Sequence, residues 1–146
     1  MAKLEFTINL PAESTKLFKL ATDFENFRKY FPHLIKSITI SEKNESTTTT
    51  QEIFTFTSFI KHEIKQKSIH KVIEPNRLET KIIEGPFKGS ILYILYDKME
   101  SGTKVVVTAD LKIALKYRIL SSPIKNSYRQ FLTGLLYKMN TEALAQ

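Results

Sequence analysis

The stretch from Pro123 to Gln146 reads as one uninterrupted amphipathic helix, and it follows a long run of strand-like sequence. Ile124, Tyr128, Phe131, Leu135 and Met139 recur at three- and four-residue spacing, with Leu132, Leu136, Ala143 and Leu144 beside them. Gly134 is the only weak point in that run. Residues 34 to 113, by contrast, alternate apolar and polar with period two and carry turn signals. A long closing helix after a run of antiparallel strands can bury its stripe in one place, the concave face of the sheet. A curved sheet wrapped round one helix leaves a cavity, so the pattern points to a module that holds a ligand.

The chain has 146 residues, which places it in one domain, residues 1–146. That length buries a substantial core without disulfides or metal. The absence of Cys excludes a disulfide framework, a thiolate zinc site and a cysteine nucleophile. The N-terminus lacks a charged-then-apolar signal pattern. No apolar run approaches the ~20 residues of a spanning helix. The expected location is cytoplasmic, with peripheral contact to the membrane. Net charge is +7 and unevenly placed. Between Asp110 and Glu142 there is no acid, whereas Lys112, Lys116, Arg118, Lys125, Arg129 and Lys138 lie in that interval. Lys61, Lys65, Lys67 and Lys71 form a second basic stretch, broken only by Glu63. Such asymmetry favours an anionic partner: a membrane surface, RNA or an acidic ligand. A simple solvated basic face is the competing reading.

Lys3 to Leu10 alternates cleanly as a half-buried strand, and Pro11 suits the first turn of a helix. Ala12 to Ala21 carries Leu17, Phe18 and Ala21 as a stripe. A second short helix follows, with Thr22-Asp23-Phe24-Glu25 in the form of a capping box. Phe24, Phe27 and Phe31 share its face, with Tyr30 beside them, and Pro32 stops it. Strands are expected at Ile35–Lys43, Thr47–Phe59, Lys61–Ile73, Arg77–Glu84, Ser90–Asp97 and Lys104–Ala114. Short connections make antiparallel neighbours, so these strands form a meander.

The order strand, two helices, six strands, long helix resembles the helix-grip fold of the START-like, Bet v 1-like superfamily over essentially the whole chain. Within it, the pattern is similar to the polyketide cyclase/dehydrase and coenzyme Q-binding START-domain group. Asp23 with Tyr30-Phe31-Pro32, Glu84-Gly85-Pro86-Phe87, and the aromatic-rich Phe56–Ser58 carry that likeness. The resemblance implies an α+β fold: an antiparallel sheet of about seven strands curved around the C-terminal helix, with two short helices after the first strand. It implies a hydrophobic pocket for lipid, quinone, sterol or polyketide. Some relatives are carriers, some are cyclases and others act through protein contacts, and fold alone does not choose among these.

Individual residues refine the expectation. His62 and His70 lie eight apart on one expected strand, about 26 Å, so they cannot share a metal. No helical His-Glu pair or carboxylate cluster appears, and no metal or cofactor is expected. On the Lys61–Ile73 strand, Lys65, Lys67 and Lys71 share one face. His62, Ile64, Gln66, Ser68, His70 and Val72 share the other, so the inward face is partly polar. Unpaired polar groups in a packed core would cost roughly 1–3 kcal/mol each, which a cavity relieves. The ligand-binding set is Phe24, Phe27, Tyr30, Phe31, Gln66, Ser68, His70, Phe87, Tyr96, Tyr128, Phe131 and Leu135. His70, Glu84 and Tyr96 are the candidate acids or bases should the site be catalytic, although no catalytic constellation is visible. Lys116, Tyr117, Arg118 and Lys125, with Ile119 and Leu120, form the expected membrane-facing set, cations beside insertable apolar groups. The function expected is binding and transport of a hydrophobic small molecule, a lipid or isoprenoid quinone, with transient contact to an anionic membrane surface. Alternatives are a cyclase/dehydratase-type enzyme on a polyketide-like substrate and a protein-interaction module without a small ligand. Nucleic acid is not an expected partner, because no reading module accompanies the basic stretches.

Overall fold

The computed structural model describes residues 2–55 and 63–146. Its seven strands are β1 (Ala2–Leu10), β2 (Ile35–Lys43), β3 (Thr47–Phe54), β4 (Ile64–Ile73), β5 (Arg77–Glu84), β6 (Ile91–Lys98) and β7 (Thr103–Leu111). They form one antiparallel sheet of order β1-β7-β6-β5-β4-β3-β2. The meander from β2 to β7 is as expected, and β1 closes the far edge against β7. Residues 56–62, with His62 and Phe56–Ser58, lie outside the described residues.

Helix α1 (Ser14–Ala21) and a 3-10 helix (Phe24–Tyr30) follow β1. The capping box expected at Thr22–Glu25 does not form. Thr22 ends α1, and its hydroxyl donates back to the Phe18 carbonyl at 3.0 Å. Glu25 accepts instead from the Ile40 N–H at 3.1 Å and ties the 3-10 helix to β2. The ladder of β7 stops at Leu111, short of the expected Ala114. There the Lys112 N–H turns to the Ser90 hydroxyl and the Ala114 N–H to the Pro86 carbonyl. A second 3-10 helix (Leu115–Leu120) leads directly into α2 (Ser121–Ala145).

Helix α2 packs against β1, α1 and both 3-10 helices. Its buried stripe is Ile124, Leu132, Leu135, Leu136, Met139 and Ala143. Each large member contributes roughly 1.5–3 kcal/mol. Together they match the whole net stability of a domain, about 5–15 kcal/mol. Tyr128 and Phe131 are only half-buried, and Leu144 is exposed. The stripe finishes through Met139, Asn140 and Ala143, so Leu144 points past it. Asn140 is a buried polar residue whose Oδ1 accepts the Ala12 N–H at 2.9 Å. The Thr103 hydroxyl donates to the Ala12 carbonyl at 2.7 Å, so one backbone unit after β1 is satisfied from two distant elements.

Removing Asn140 would leave a buried N–H without a partner. Asn140→Ala is expected to destabilise by about 1–3 kcal/mol in urea unfolding. Leu144→Ala, at an exposed position, is expected to change stability by less than about 0.5 kcal/mol. Equal losses at the two positions would contradict this seating of the helix.

Candidate functional site

Between α2 and the sheet lies a cavity of about 400 Å3. Period two on each strand sends one side chain in every pair into it. Thr50, Glu52 and Phe54 come from β3; Gln66, Ser68 and His70 from β4; Leu78, Thr80 and Ile82 from β5; Leu92, Ile94 and Tyr96 from β6. Helix α2 supplies Ile124, Tyr128, Phe131 and Leu135, and the first 3-10 helix supplies Phe24 and Phe27. Most of these are apolar. A largely apolar cleft of this size with a few convergent polar groups is the usual form of a small-molecule site.

Two glycines shape the walls. Gly134 lies mid-helix, and a Cβ there would come within 3.1 Å of the Phe31 ring. The Phe31 and Phe131 rings sit 4.9 Å apart. Gly85 has φ of +112°, and a Cβ on it would meet the Lys65 carbonyl at 2.8 Å. That close approach coincides with the register shift between β4 and β5 at Lys67 and Ser68. The Glu84-Gly85-Pro86-Phe87 segment therefore brings Phe87 to the cavity wall.

The polar groups fall into two clusters. His70 Nε2 and Nδ1 lie 2.8 Å from the Thr50 and Thr80 hydroxyls, and Phe24 stacks on the ring at 4.0 Å. Burial pushes the imidazole down to about 4, so it is neutral near pH 7. Glu52 accepts from the Ser68 hydroxyl at 2.7 Å and the Gln66 amide at 3.4 Å, both at Oε1. Its Oε2 and the Gln66 Oε1 are buried and have no hydrogen-bond partner among the described residues. Burial pushes the Glu52 carboxyl up to about 7, against the pull of those hydrogen bonds. Burial likewise raises Tyr96 and Tyr128, the latter also through the Glu52 charge.

All of the sequence-expected ligand set except Tyr30 line this cavity. Tyr30 is buried elsewhere in the core. Its hydroxyl donates to Glu142, which also pairs with Lys29 at 2.5 Å. Lys138 donates to the Tyr30 carbonyl at 2.5 Å. Of the candidate acids and bases, His70 and Tyr96 point inward, but Glu84 is exposed at the end of β5 and lines a groove on the outer face. Tyr117 is 9% exposed and packs with Ile64, Ile82, Phe87 and Ile124, so it is not a membrane-facing residue. Leu115 and Ile119, 78% and 92% exposed, present the apolar surface of that segment, with Lys116 and Arg118 between them. Among the described residues no cluster of His, Asp and Glu could hold a metal. Glu52, Thr50 and Thr80 are absent from the sequence-based set. Alternation from Thr50 to Phe54 carries the signal, because it puts Glu52 on the same face as two core residues.

The family model for polyketide cyclase / dehydrase and lipid transport matches residues 8–139. No curated protein matches at the sequence level. Among solved structures, TTHA0849 from Thermus thermophilus is similar at TM-score 0.83 and 16% identity, covering 99% of this chain and 98% of that one. The Zhui aromatase/cyclase from Streptomyces sp. R1128 is similar at TM-score 0.77 and 12% identity, covering 94% and 93%. A START superfamily protein from Mycobacterium smegmatis is similar at TM-score 0.74 and 15% identity, covering 98% and 97%.

His70 and Glu52 make opposite contributions to stability against pH. The His70 value is about 4 folded and 6.5 ordinarily, so between these the unfolded chain holds more protons and stability rises with pH. The Glu52 value is about 7 folded and 4.5 ordinarily, so there the folded chain holds more protons and stability falls as pH rises. The slopes, each at most roughly 1.4 kcal/mol per pH unit, offset one another where the windows overlap. Glu52→Gln is expected to leave a melting temperature that climbs from about pH 4.5 to 6.5, and His70→Gln one that falls from about pH 4.5 to 7, relative to the parent. Parallel profiles for all three proteins would show that neither group is held neutral by burial.

Proposed function

The chain belongs to the polyketide cyclase / dehydrase and lipid transport family, and we propose that it binds and carries a hydrophobic small molecule, a lipid or isoprenoid quinone. The carrying observation is the apolar cavity of about 400 Å3 between α2 and the sheet. Its walls offer broad apolar contact, and its few polar groups can fix one end of a ligand. Such a pocket favours binding through surface removed from water, at about 25 cal/mol per Å2 of apolar area. Nothing in that role requires a reacting group.

A second reading is a cyclase or dehydratase acting on a polyketide-like substrate. One observation favours it: Glu52 is a carboxyl pushed up to about 7 inside an apolar cavity. A group that gives and takes a proton near neutral pH suits general acid–base chemistry. The likeness to an aromatase/cyclase supports the same reading through fold alone.

The proposed carrier works at a membrane surface from the cytoplasmic side. No helix among the described residues is long and apolar enough to cross a membrane. The supporting feature is the second 3-10 helix, with exposed Leu115 and Ile119 between cations. Each cation near an anionic bilayer is worth about 1 kcal/mol and is screened by salt. Two or three such contacts with two inserted side chains give weak, reversible binding.

Native mass spectrometry and lipid extraction of protein from its own source test the reading. A stoichiometric, unaltered lipid or quinone supports the carrier. Turnover of a supplied polyketide chain, lost in Glu52→Gln, supports the enzyme. Flotation with anionic vesicles is expected at low salt, reduced by Lys116→Glu/Arg118→Glu and by Ile119→Asp. Absence of flotation under those conditions removes the membrane from the proposal.

A further inference from the structure

At the cavity's polar end two buried acceptors have no hydrogen-bond partner among the described residues. Glu52 and Gln66 are cross-strand partners on β3 and β4, and both line the cavity. Ser68 and Gln66 donate to Glu52, both at Oε1, and the Thr50 hydroxyl, which pairs with His70 Nε2, also favours the carboxylate. The Glu52 Oε2 and Gln66 Oε1 atoms remain, neighbouring buried acceptors with no donor among the described residues. A buried acceptor left unpaired is unfavourable, and a ligand that supplies the missing hydrogen is selected over one that cannot. An acceptor-only head group, such as a quinone carbonyl, adds more lone pairs to this corner. A carboxylate adds like charge.

We infer that this pocket selects ligands whose buried end carries a hydroxyl, as an alcohol or phenol, donated to Glu52 with Gln66 beside it. The inference rests on the ligand-binding reading above and narrows its ligand class: reduced, hydroxyl-bearing rings are favoured over quinones and free fatty acids.

Donation to a carboxylate also makes binding depend on pH. The carboxyl meets Gln66 and Ser68 from β4, Thr50 from its own strand, Ile38 from β2 and Tyr128 from α2, and His70 lines the same cavity. Glu52 and Gln66 also border a groove on the other face of the sheet, with Lys65, Lys67 and Glu84. Of the cavity-side groups, His70 is pushed down to about 4 and Tyr128 is raised, so Glu52, at about 7, is the one that changes charge between about pH 6 and 8. Its ionised fraction falls from about nine-tenths at pH 8 to about one-tenth at pH 6, and donor affinity falls with it.

Two probes of equal size, 2-naphthol and 2-methylnaphthalene, separate the possibilities. The chain contains no Trp, so naphthalene fluorescence reports binding directly. At pH 8 the intact protein is expected to bind 2-naphthol at least about tenfold more tightly than 2-methylnaphthalene. At pH 6 the naphthol affinity is expected to be about tenfold lower while the methyl analogue is unchanged. Glu52→Gln is expected to flatten that pH profile. If both probes bind with equal affinity at every pH, the hydroxyl requirement is wrong and the ligand-binding reading stands. If the naphthol preference keeps its pH dependence unchanged in Glu52→Gln, the assignment to Glu52 is wrong. If neither probe binds, the ligand-binding reading falls and takes this inference with it. The wild-type profile with its methyl control decides the hydroxyl requirement even should Glu52→Gln fail to fold.

Discussion

One helix cannot fill the hollow of a seven-stranded curved sheet, and the rest of the molecule follows from that mismatch. Interiors ordinarily pack as densely as organic crystals, at about 0.74 of the available volume. Here α2 covers the hollow without filling it, and about 400 Å3 remains. Side chains lining empty space lose dispersion contacts on that side. The helix is accordingly held by more than its stripe. Asn140 binds the backbone of Ala12, Glu142 binds Lys29 and Tyr30, and Lys138 binds the Tyr30 carbonyl. These polar ties all lie in the C-terminal half of α2. The N-terminal half, where Ile124, Tyr128 and Phe131 meet the cavity, is fixed mainly by apolar packing.

The same hollow explains why polar side chains sit on the inner face of β3 and β4. In a dense core, Glu52 and His70 would each have to be paired or paid for in stability. At the cavity wall they reach different solutions. His70 is satisfied by the protein, with both ring nitrogens beside threonine hydroxyls and Phe24 on its face. Glu52 is half satisfied: Ser68 and Gln66 both donate to Oε1, and Oε2 has no partner among the described residues. The first cluster is complete without a ligand and reads as structure. The second is incomplete and reads as a site. Burial alone does not separate them; the tally of donors and acceptors does.

Period-two alternation and the closing helical stripe made the fold legible from sequence, because burying one face of each leaves a single arrangement. The inward face of β4 was legible for the same reason: Lys65 and Lys67 must face water, which sends Gln66, Ser68 and His70 inward. Glu52 was missed because the threonine run that opens β3 hides which face is inward, and the signal is confined to the short alternation from Thr50 to Phe54. Tyr30 was misplaced because spacing does not show where a hydroxyl goes: the three-residue turn sets Tyr30 in line with Phe24 and Phe27, but its ring packs beside Phe27 and its hydroxyl ends on Glu142, outside the cavity. Tyr117 was misplaced because an interleaved cationic and aromatic segment looks alike whether its ring lies in or out. Only the neighbouring Phe87 and Ile124 decide it.

Tyr117 also joins the surface of the molecule to the cavity. It belongs to a small cluster with Ile64, Ile82, Phe87 and Ile124, separate from the main core. Ile82, Phe87 and Ile124 face the cavity with their other sides. The helix bearing exposed Leu115 and Ile119 is seated on that cluster by the Tyr117 ring together with Ala114 and Leu120. Exposed apolar residues, a buried ring and the cavity wall thus lie side by side at this end of the molecule, while the polar ties of α2 to Ala12, Lys29 and Tyr30 gather at the other end of that helix.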